Sequence, residues 1–174
     1  MEKNYKVIDN FLTISEFKHL QSLIVENTDF NWNITTNVAY GHEDKDYNDN
    51  FESKLWNWYC IHPIYATIPL SPHFETIASI FCSKFDIKSL IRIKINFYPY
   101  TSELQEHAKH QDFSFPHSAA LFSLNTCDGF TRMPNGDKVD SIENRIVFFD
   151  ASKDHNSSTT SNQKGRYNIN FNWL

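Results

Sequence analysis

The spacing of apolar residues changes character once along this chain. Up to about residue 90 they recur mostly at three- and four-residue intervals: Phe17, Leu20, Leu23 and Ile24 form one stripe, and Phe74, Ile77, Ile80 and Phe81 form another. Side chains at those intervals share one face of a helix, so both stretches predict helices laid against an apolar surface. Thr13 and Glu16 have the spacing of a capping box and mark the start of the first helix, after the strand-like run Val7-Ile8-Asp9-Asn10-Phe11-Leu12. Ser71-Pro72 opens the second, because proline suits a first helical turn.

From Ile91 onward the period is two. Ile91, Ile93, Ile95 and Phe97 alternate with Arg92, Lys94, Asn96 and Tyr98, which predicts a strand with one face in apolar core and a polar face directed elsewhere. Further strands are predicted over residues 118–126, 129–133, 138–142, 145–150 and 166–173, with tight turns at Asp128-Gly129 and Asn135-Gly136. Many short strands punctuated by turns indicate an antiparallel sandwich or jelly roll. The fold class is therefore α+β, mainly β, with the N-terminal helices bracing one sheet. Residues 31–53 are polar and of mixed charge around Gly41-His42-Glu43-Asp44-Lys45-Asp46, and read as an exposed loop or lid. His42, Glu43 and Asp44 are adjacent and cannot all point at one ion. Trp56, Trp58 and Tyr59 read as a packing cluster.

Composition narrows the class. The length of 174 residues suits one domain, and 16% aromatic residues, fifteen of them Phe and eight Tyr, supply a packed interior and argue against disorder. The net charge of -5 lacks the basic excess of a non-specific nucleic-acid binder. Cys60, Cys82 and Cys127 match neither a zinc spacing nor a disulfide framework, which fits a reducing compartment. There is no apolar run of membrane-spanning length and no h-region behind the first charges, so a cytoplasmic location is expected.

The candidate chemistry lies in the second half. His110 and Asp112 are two apart, so on extended backbone both side chains emerge on one face. His155 lies beyond the intervening strands, where a jelly roll can return it to the same point. Two imidazoles and a carboxylate in this order are the facial ligand set of non-haem Fe(II), which leaves the other coordination positions open. His107 has Lys109 and not an acid two residues on, so His110 with Asp112 is the better pair; His107 and His117 are assigned supporting or surface roles. Arg92 and Lys94 share a face with Asn96, directed at substrate or at solvent. Asn125 and Arg145 are given ordinary turn and surface roles.

Taken together, Asn96-Phe97-Tyr98-Pro99, His110-Gln111-Asp112, His155 and Arg166-Tyr167-Asn168 resemble the Fe(II)/2-oxoglutarate-dependent oxygenases. The layout is similar to their prolyl-hydroxylase-like group, including small bacteriophage-encoded members. The resemblance covers residues 91–174 and reaches the first half only in its helix and strand order. It implies one oxygenase domain over residues 1–174, with 1–90 as helical support and lid and 91–174 as a catalytic double-stranded β-helix, the cupin-like jelly roll. It further implies Fe(II) held by His110, Asp112 and His155, with dioxygen as the other reactant. The cosubstrate 2-oxoglutarate would be anchored at its distal carboxylate by Arg166, whose fork suits a planar carboxylate, and supported by Tyr98, Asn96 and Asn168.

The implied reaction is hydroxylation of a C–H bond in a peptide, a protein residue or an amino acid, coupled to decarboxylation of 2-oxoglutarate to succinate and carbon dioxide. A phage-encoded member would act in the host cytoplasm. Two other readings stay open. Asn-x-Tyr and Arg-x-Asn are also features of the branch that repairs alkylated nucleic acids, which would make this a base demethylase or hydroxylase; the acidic charge and the lack of a further Arg after Asn168 oppose it. A metal-binding jelly roll without turnover is the third reading, disfavoured because a mere binder needs no Arg166.

Overall fold

The computed structural model describes residues 4–39 and 55–174. Most of the expected lid, including His42, Glu43 and Asp44, lies outside the described residues. Helix α1 (Ile14–Leu20) starts where the capping box predicts. The Thr13 hydroxyl accepts the Glu16 backbone N–H at 3.3 Å, and the Glu16 carboxylate accepts the Thr13 N–H at 2.9 Å. One wider π turn, Gln21–Val25, continues it and carries Ile24 into the core. Helix α2 (Phe74–Phe81) begins two residues later than Pro72 suggests: Ser71 and Pro72 sit in the turn before it, and the Ser71 hydroxyl accepts the His73 N–H.

The strands are β1 (Tyr5–Ile8), β2 (Asn33–Thr35), β3 (Tyr59–Ala66), β4 (Ile68–Pro69), β5 (Leu90–Pro99), β6 (Ser118–Ser123), β7 (Phe130–Arg132), β8 (Lys138–Asp140), β9 (Ile146–Asp150), β10 (Asn156–Ser157) and β11 (Gly165–Trp173). A major sheet runs β1-β9-β6-β11-β5-β3-β2, with β4 beside β3, and a minor sheet runs β10-β7-β8. All named pairings are antiparallel. Tyr59 was expected only in a packing cluster, yet it opens β3. Pro63 disguises that strand, and the ladder with β5 shifts register between Pro63 and Tyr65.

The two faces of the major sheet have different partners. On the back, Ile93, Ile95, Ala120, Phe122, Ile169, Phe171 and Trp173 form one core with Phe17, Leu20, Ile24, Ile77 and Phe81 of the helical layer. Phe81 lies 4.7 Å from Phe171 and 5.1 Å from Phe122, ring to ring. On the front, Ala119, Leu121, Val147 and Phe149 pack with Met133 and with Val139 of the minor sheet. Two antiparallel sheets facing each other, with helices on one outer face, make the predicted jelly roll, a double-stranded β-helix.

Alternation fixes what else the front face carries. The β11–β5 register pairs Arg166 with Tyr98, Asn168 with Asn96, Asn170 with Lys94 and Asn172 with Arg92, so all eight point the same way. No helix among the described residues is long and apolar enough to cross a membrane.

Candidate metal centre and anion pocket

His110 and His155 are strand neighbours although far apart in sequence. Each donates its backbone N–H to the other's carbonyl, at 2.9 and 3.0 Å, and the Asp112 N–H donates to the Ala151 carbonyl at 3.0 Å. This pairing brings the three side chains together. Their ligand atoms all lie within 4.8 Å of one another, and the two imidazole centroids are 4.6 Å apart. Donor atoms side by side on an ion with bonds near 2.1 Å stand about 3 Å apart, so a small contraction lets all three reach one metal.

The surroundings set the protonation that ligation requires. His155 Nδ1 is 2.9 Å from the Lys153 carbonyl and His110 Nδ1 is 3.4 Å from that of Ala108. A carbonyl only accepts, so each Nδ1 carries the proton and each Nε2 lone pair is left for a metal. Burial lowers the pKa of His110 to about 4, helped by the neighbouring His155, and burial likewise lowers that of His155. Both rings are neutral at neutral pH.

Asp112 is the opposite case. With 3% of its side chain exposed, burial alone would raise its pKa, but Arg92, Lys94, His155 and a hydrogen bond from Asn172 outweigh burial and hold it ionised far below the usual carboxylate range. Arg92 Nη2 is 2.8 Å from Oδ1, while Asn172 Nδ2 and Asn170 Nδ2 donate to Oδ2 at 2.8 and 3.3 Å. Sequence reasoning missed these orienting partners. Their signal was the even-numbered asparagine run on β11, which the period-two pattern places beside Arg92.

Further along the same face is a pocket built around Arg166, which is 1% exposed. Its Nη1 donates to the Ser158 carbonyl at 3.2 Å and its Nη2 to Thr131 Oγ1 at 2.7 Å, while the buried Nε has no partner among the described residues. No described carboxylate makes an ion pair with it. Burial lowers its pKa, opposed by Tyr98 and Cys127. The guanidinium lies 5.5 Å from the Tyr98 ring, and burial raises the pKa of that phenol. Gly129 makes room for the arginine: a Cβ there would stand 2.7 Å from Arg166 Cδ and 2.6 Å from the Thr159 carbonyl oxygen. Asn96 Nδ2 donates to Asn168 Oδ1 at 2.8 Å, which leaves Asn96 Oδ1 and Asn168 Nδ2 buried and without a partner among the described residues.

His107 belongs to this pocket, so the surface alternative for it is wrong. It is 3% exposed, its Nδ1 is 2.9 Å from Ser157 Oγ, its ring is 5.3 Å from that of Tyr98, and its buried Nε2 has no partner among the described residues. A backbone bond from its N–H to the Ser157 carbonyl turns it inward. Burial, with Arg166 beside it, lowers its pKa to about 3. His117 is also buried, with Nδ1 2.8 Å from the Phe115 carbonyl. Asn125 fastens the start of β11 by bonding the Gly165 carbonyl and the Tyr167 N–H, and Arg145 pairs with Asp9 in an exposed contact. Both keep the ordinary roles expected of them.

The seven residues singled out by sequence, His110, Asp112, His155, Arg166, Tyr98, Asn96 and Asn168, thus belong to one polar region between the sheets. A neutral pair of imidazoles with a fixed carboxylate suits a divalent metal. A buried guanidinium lacking a counter-ion suits an anion.

No family model matches the sequence, and no curated protein matches it significantly. Solved structures do match in fold. A prolyl-4-hydroxylase from Pseudomonas putida superposes with a TM-score of 0.65 at 10% identity, covering 98% of this chain and 92% of that one. A 2OG-Fe(II) oxygenase family oxidoreductase from Burkholderia pseudomallei gives 0.63 at 11% identity, covering 98% and 85%. A prolyl hydroxylase from Trichoplax adhaerens, solved with a hypoxia-inducible-factor peptide fragment, gives 0.58 at 15% identity, covering 98% and 83%. The chain has the fold of the prolyl hydroxylases and related 2-oxoglutarate and Fe(II) oxygenases.

Proposed function

We propose that this protein is an Fe(II)- and 2-oxoglutarate-dependent dioxygenase that hydroxylates a C–H bond of a peptide, a protein residue or an amino acid, with residues 1–174 acting as one catalytic unit. The observation that carries the reading is Arg166. A fully buried guanidinium without a carboxylate costs stability unless an anion arrives, and this one stands on the same sheet face as a three-residue metal-ligand cluster. A simple metal-binding jelly roll has no use for it.

In this reading His110 and His155 ligate through Nε2 and Asp112 through a carboxylate oxygen that Asn170, Asn172 and Arg92 keep oriented. Arg166 receives the distal carboxylate of 2-oxoglutarate, with the Tyr98 phenol beside it. The unpaired Asn96 Oδ1 and Asn168 Nδ2 face the same pocket and complete its polar wall. When bound, the metal would let dioxygen act as the oxidant, one oxygen atom going into the C–H bond and the other into succinate as 2-oxoglutarate loses carbon dioxide. The protein supplies ligands, orientation and exclusion of water. A peptide or amino-acid substrate is favoured because the fold neighbours include prolyl hydroxylases, one of them solved with a peptide. The bond between Asn96 and Asn168 gives some support to the alternative, a base demethylase or hydroxylase, since it joins the two motifs that suggest nucleic acid.

The test is anaerobic titration of the Fe(II)-loaded protein with 2-oxoglutarate, followed by the visible charge-transfer band of bidentate chelation. The band should appear in the wild type and vanish in His110→Ala and Asp112→Ala, along with succinate production. Bound iron with no band at any 2-oxoglutarate concentration would refute the dioxygenase reading.

A further inference from the structure

Arg92, Lys94 and Arg166 bring three cations to the front face of β5 and β11. Arg92 has Asp112 at 2.8 Å. Arg166 has no described carboxylate and is assigned above to the far end of 2-oxoglutarate. The Lys94 ammonium makes no hydrogen bond or ion pair with any described side chain, and its Nζ lies 5.8 Å above the Tyr59 ring, which stacks in turn on Tyr98.

The register locates this third cation. Lys94 pairs with Asn170, one step from the Asn96–Asn168 pair that lines the cosubstrate pocket and one step from the Arg92–Asn172 pair that holds Asp112. Asn170 itself donates to Asp112 Oδ2 at 3.3 Å and keeps a buried Oδ1 without a donor. Lys94 therefore stands between the anion pocket and the metal ligands. Its charge acts on all three ligands, lowering the pKa of Asp112, His110 and His155, and burial lowers its own to about 8.

A fixed cation in this position repels a divalent metal, so by itself it harms the site. With the metal bound, Asp112 is the one carboxylate among the described residues on this face, set against three cations and the metal's two charges. The cosubstrate brings two carboxylates, one of which chelates the metal. Resting on the cosubstrate reading above, we propose that Lys94 pairs with the metal-chelating C1 carboxylate of 2-oxoglutarate, so that the cosubstrate is held by a cation at each end, Lys94 at C1 and Arg166 at C5. Metal and cosubstrate then bind cooperatively, because the cosubstrate carboxylate neutralises the repulsion that the metal meets from Lys94, and by linkage the metal strengthens cosubstrate binding equally.

The test is calorimetric titration of the protein with Mn(II) under anaerobic conditions, and then of the Mn(II)-loaded protein with 2-oxoglutarate or 2-oxopentanoate, which keeps the C1 carboxylate and the keto group but lacks the C5 carboxylate. Lys94→Met should raise the Kd of both oxoacids by about tenfold or more, the range for a charged hydrogen bond, while lowering the Kd of Mn(II) alone. Arg166→Met should weaken 2-oxoglutarate and leave 2-oxopentanoate nearly unchanged, and Lys94→Arg should stay close to wild type for both. Wild-type oxoacid affinity in Lys94→Met overturns the proposal. Loss of Mn(II) and oxoacid together in a Lys94→Met protein that still melts cooperatively, or in Lys94→Arg, assigns Lys94 a structural role and overturns it as well. If wild-type Mn(II) protein binds no 2-oxoglutarate, the dioxygenase reading itself fails, an outcome visible before any variant is made.

Discussion

Arg166 and His107 show how a single buried polar group can be read as a demand on its surroundings. Each is buried, each has a nitrogen without a partner among the described residues, and they sit against the same Tyr98 ring. For His107 the demand is visible in solution. Its folded pKa is about 3 against about 6.5 unfolded, so the folded state favours the neutral ring. The resulting stability is fully present above pH 6.5 and is lost as pH falls toward 3, because the unfolded chain takes up a proton that the folded one refuses. That slope is about 1.4 kcal/mol per pH unit. His107→Phe should flatten the fall in unfolding free energy between pH 6 and pH 4 by about that slope, read from urea titrations of metal-free protein; an unchanged slope would mean the ring is not held neutral. His110, Asp112, His155 and Arg166 could be picked out in the sequence because they follow the order of the motifs that carry the resemblance. His107 was not, since residues 107–112 lie outside the named strands and no period says which way a ring points. Gly129 was equally hidden, because its role exists only once the path of Arg166 past its Cα is known.

Among the elements, β5 and β11 declared themselves through strict alternation, and the capping box placed α1 to the residue. β3 did not, because Pro63 breaks the pattern that would name a central strand, and it is tolerated only where the ladder slips. The join between the helical layer and the sheet was hidden for another reason. It includes side chains that bond across the fold: Gln21 Nε2 donates to the Leu124 carbonyl, Asn144 Nδ2 donates to the Leu12 carbonyl and Asn144 Oδ1 accepts the Leu12 N–H, all at 2.9 Å. Asn144 does this from a left-handed backbone with φ 59, a conformation asparagine tolerates better than most residues. Asn144→Ala loses both buried bonds and adds backbone strain, and should cost about 2–3 kcal/mol in chemical denaturation. Asn144→Gly removes the bonds without that strain and should cost less. Equal losses would show that the backbone conformation contributes nothing, and no loss in either would remove Asn144 from the joint.

At the scale of the whole molecule, the change of hydrophobic period near residue 90 suggests a support half and a catalytic half, but the packing does not respect that boundary. Strand β1 from the first half pairs with β9, and β3 pairs with β5, so both halves contribute to one sheet. The back-face core is shared in the same way: Phe17, Leu20, Ile24, Ile77 and Phe81 come from one side of the boundary, and Ile93, Ile95, Phe122, Ile169 and Phe171 from the other. Burying each such side chain contributes about 1.5–3 kcal/mol, so the five from the first half together contribute on the order of 10 kcal/mol. That is comparable to the entire stability of a typical domain. A chain of residues 91–174 alone, although it carries all seven candidate residues, should therefore show no cooperative thermal transition and no dispersed amide spectrum, and it should bind metal far more weakly than the full chain. Adding a separately produced chain of residues 1–90 should restore both folding and metal binding if the shared core is what is missing. A cooperative melt from the 91–174 chain by itself would mean instead that the front-face cluster and the polar network around Asp112 hold the jelly roll without the helices, and the back-face core would then serve only to cover it.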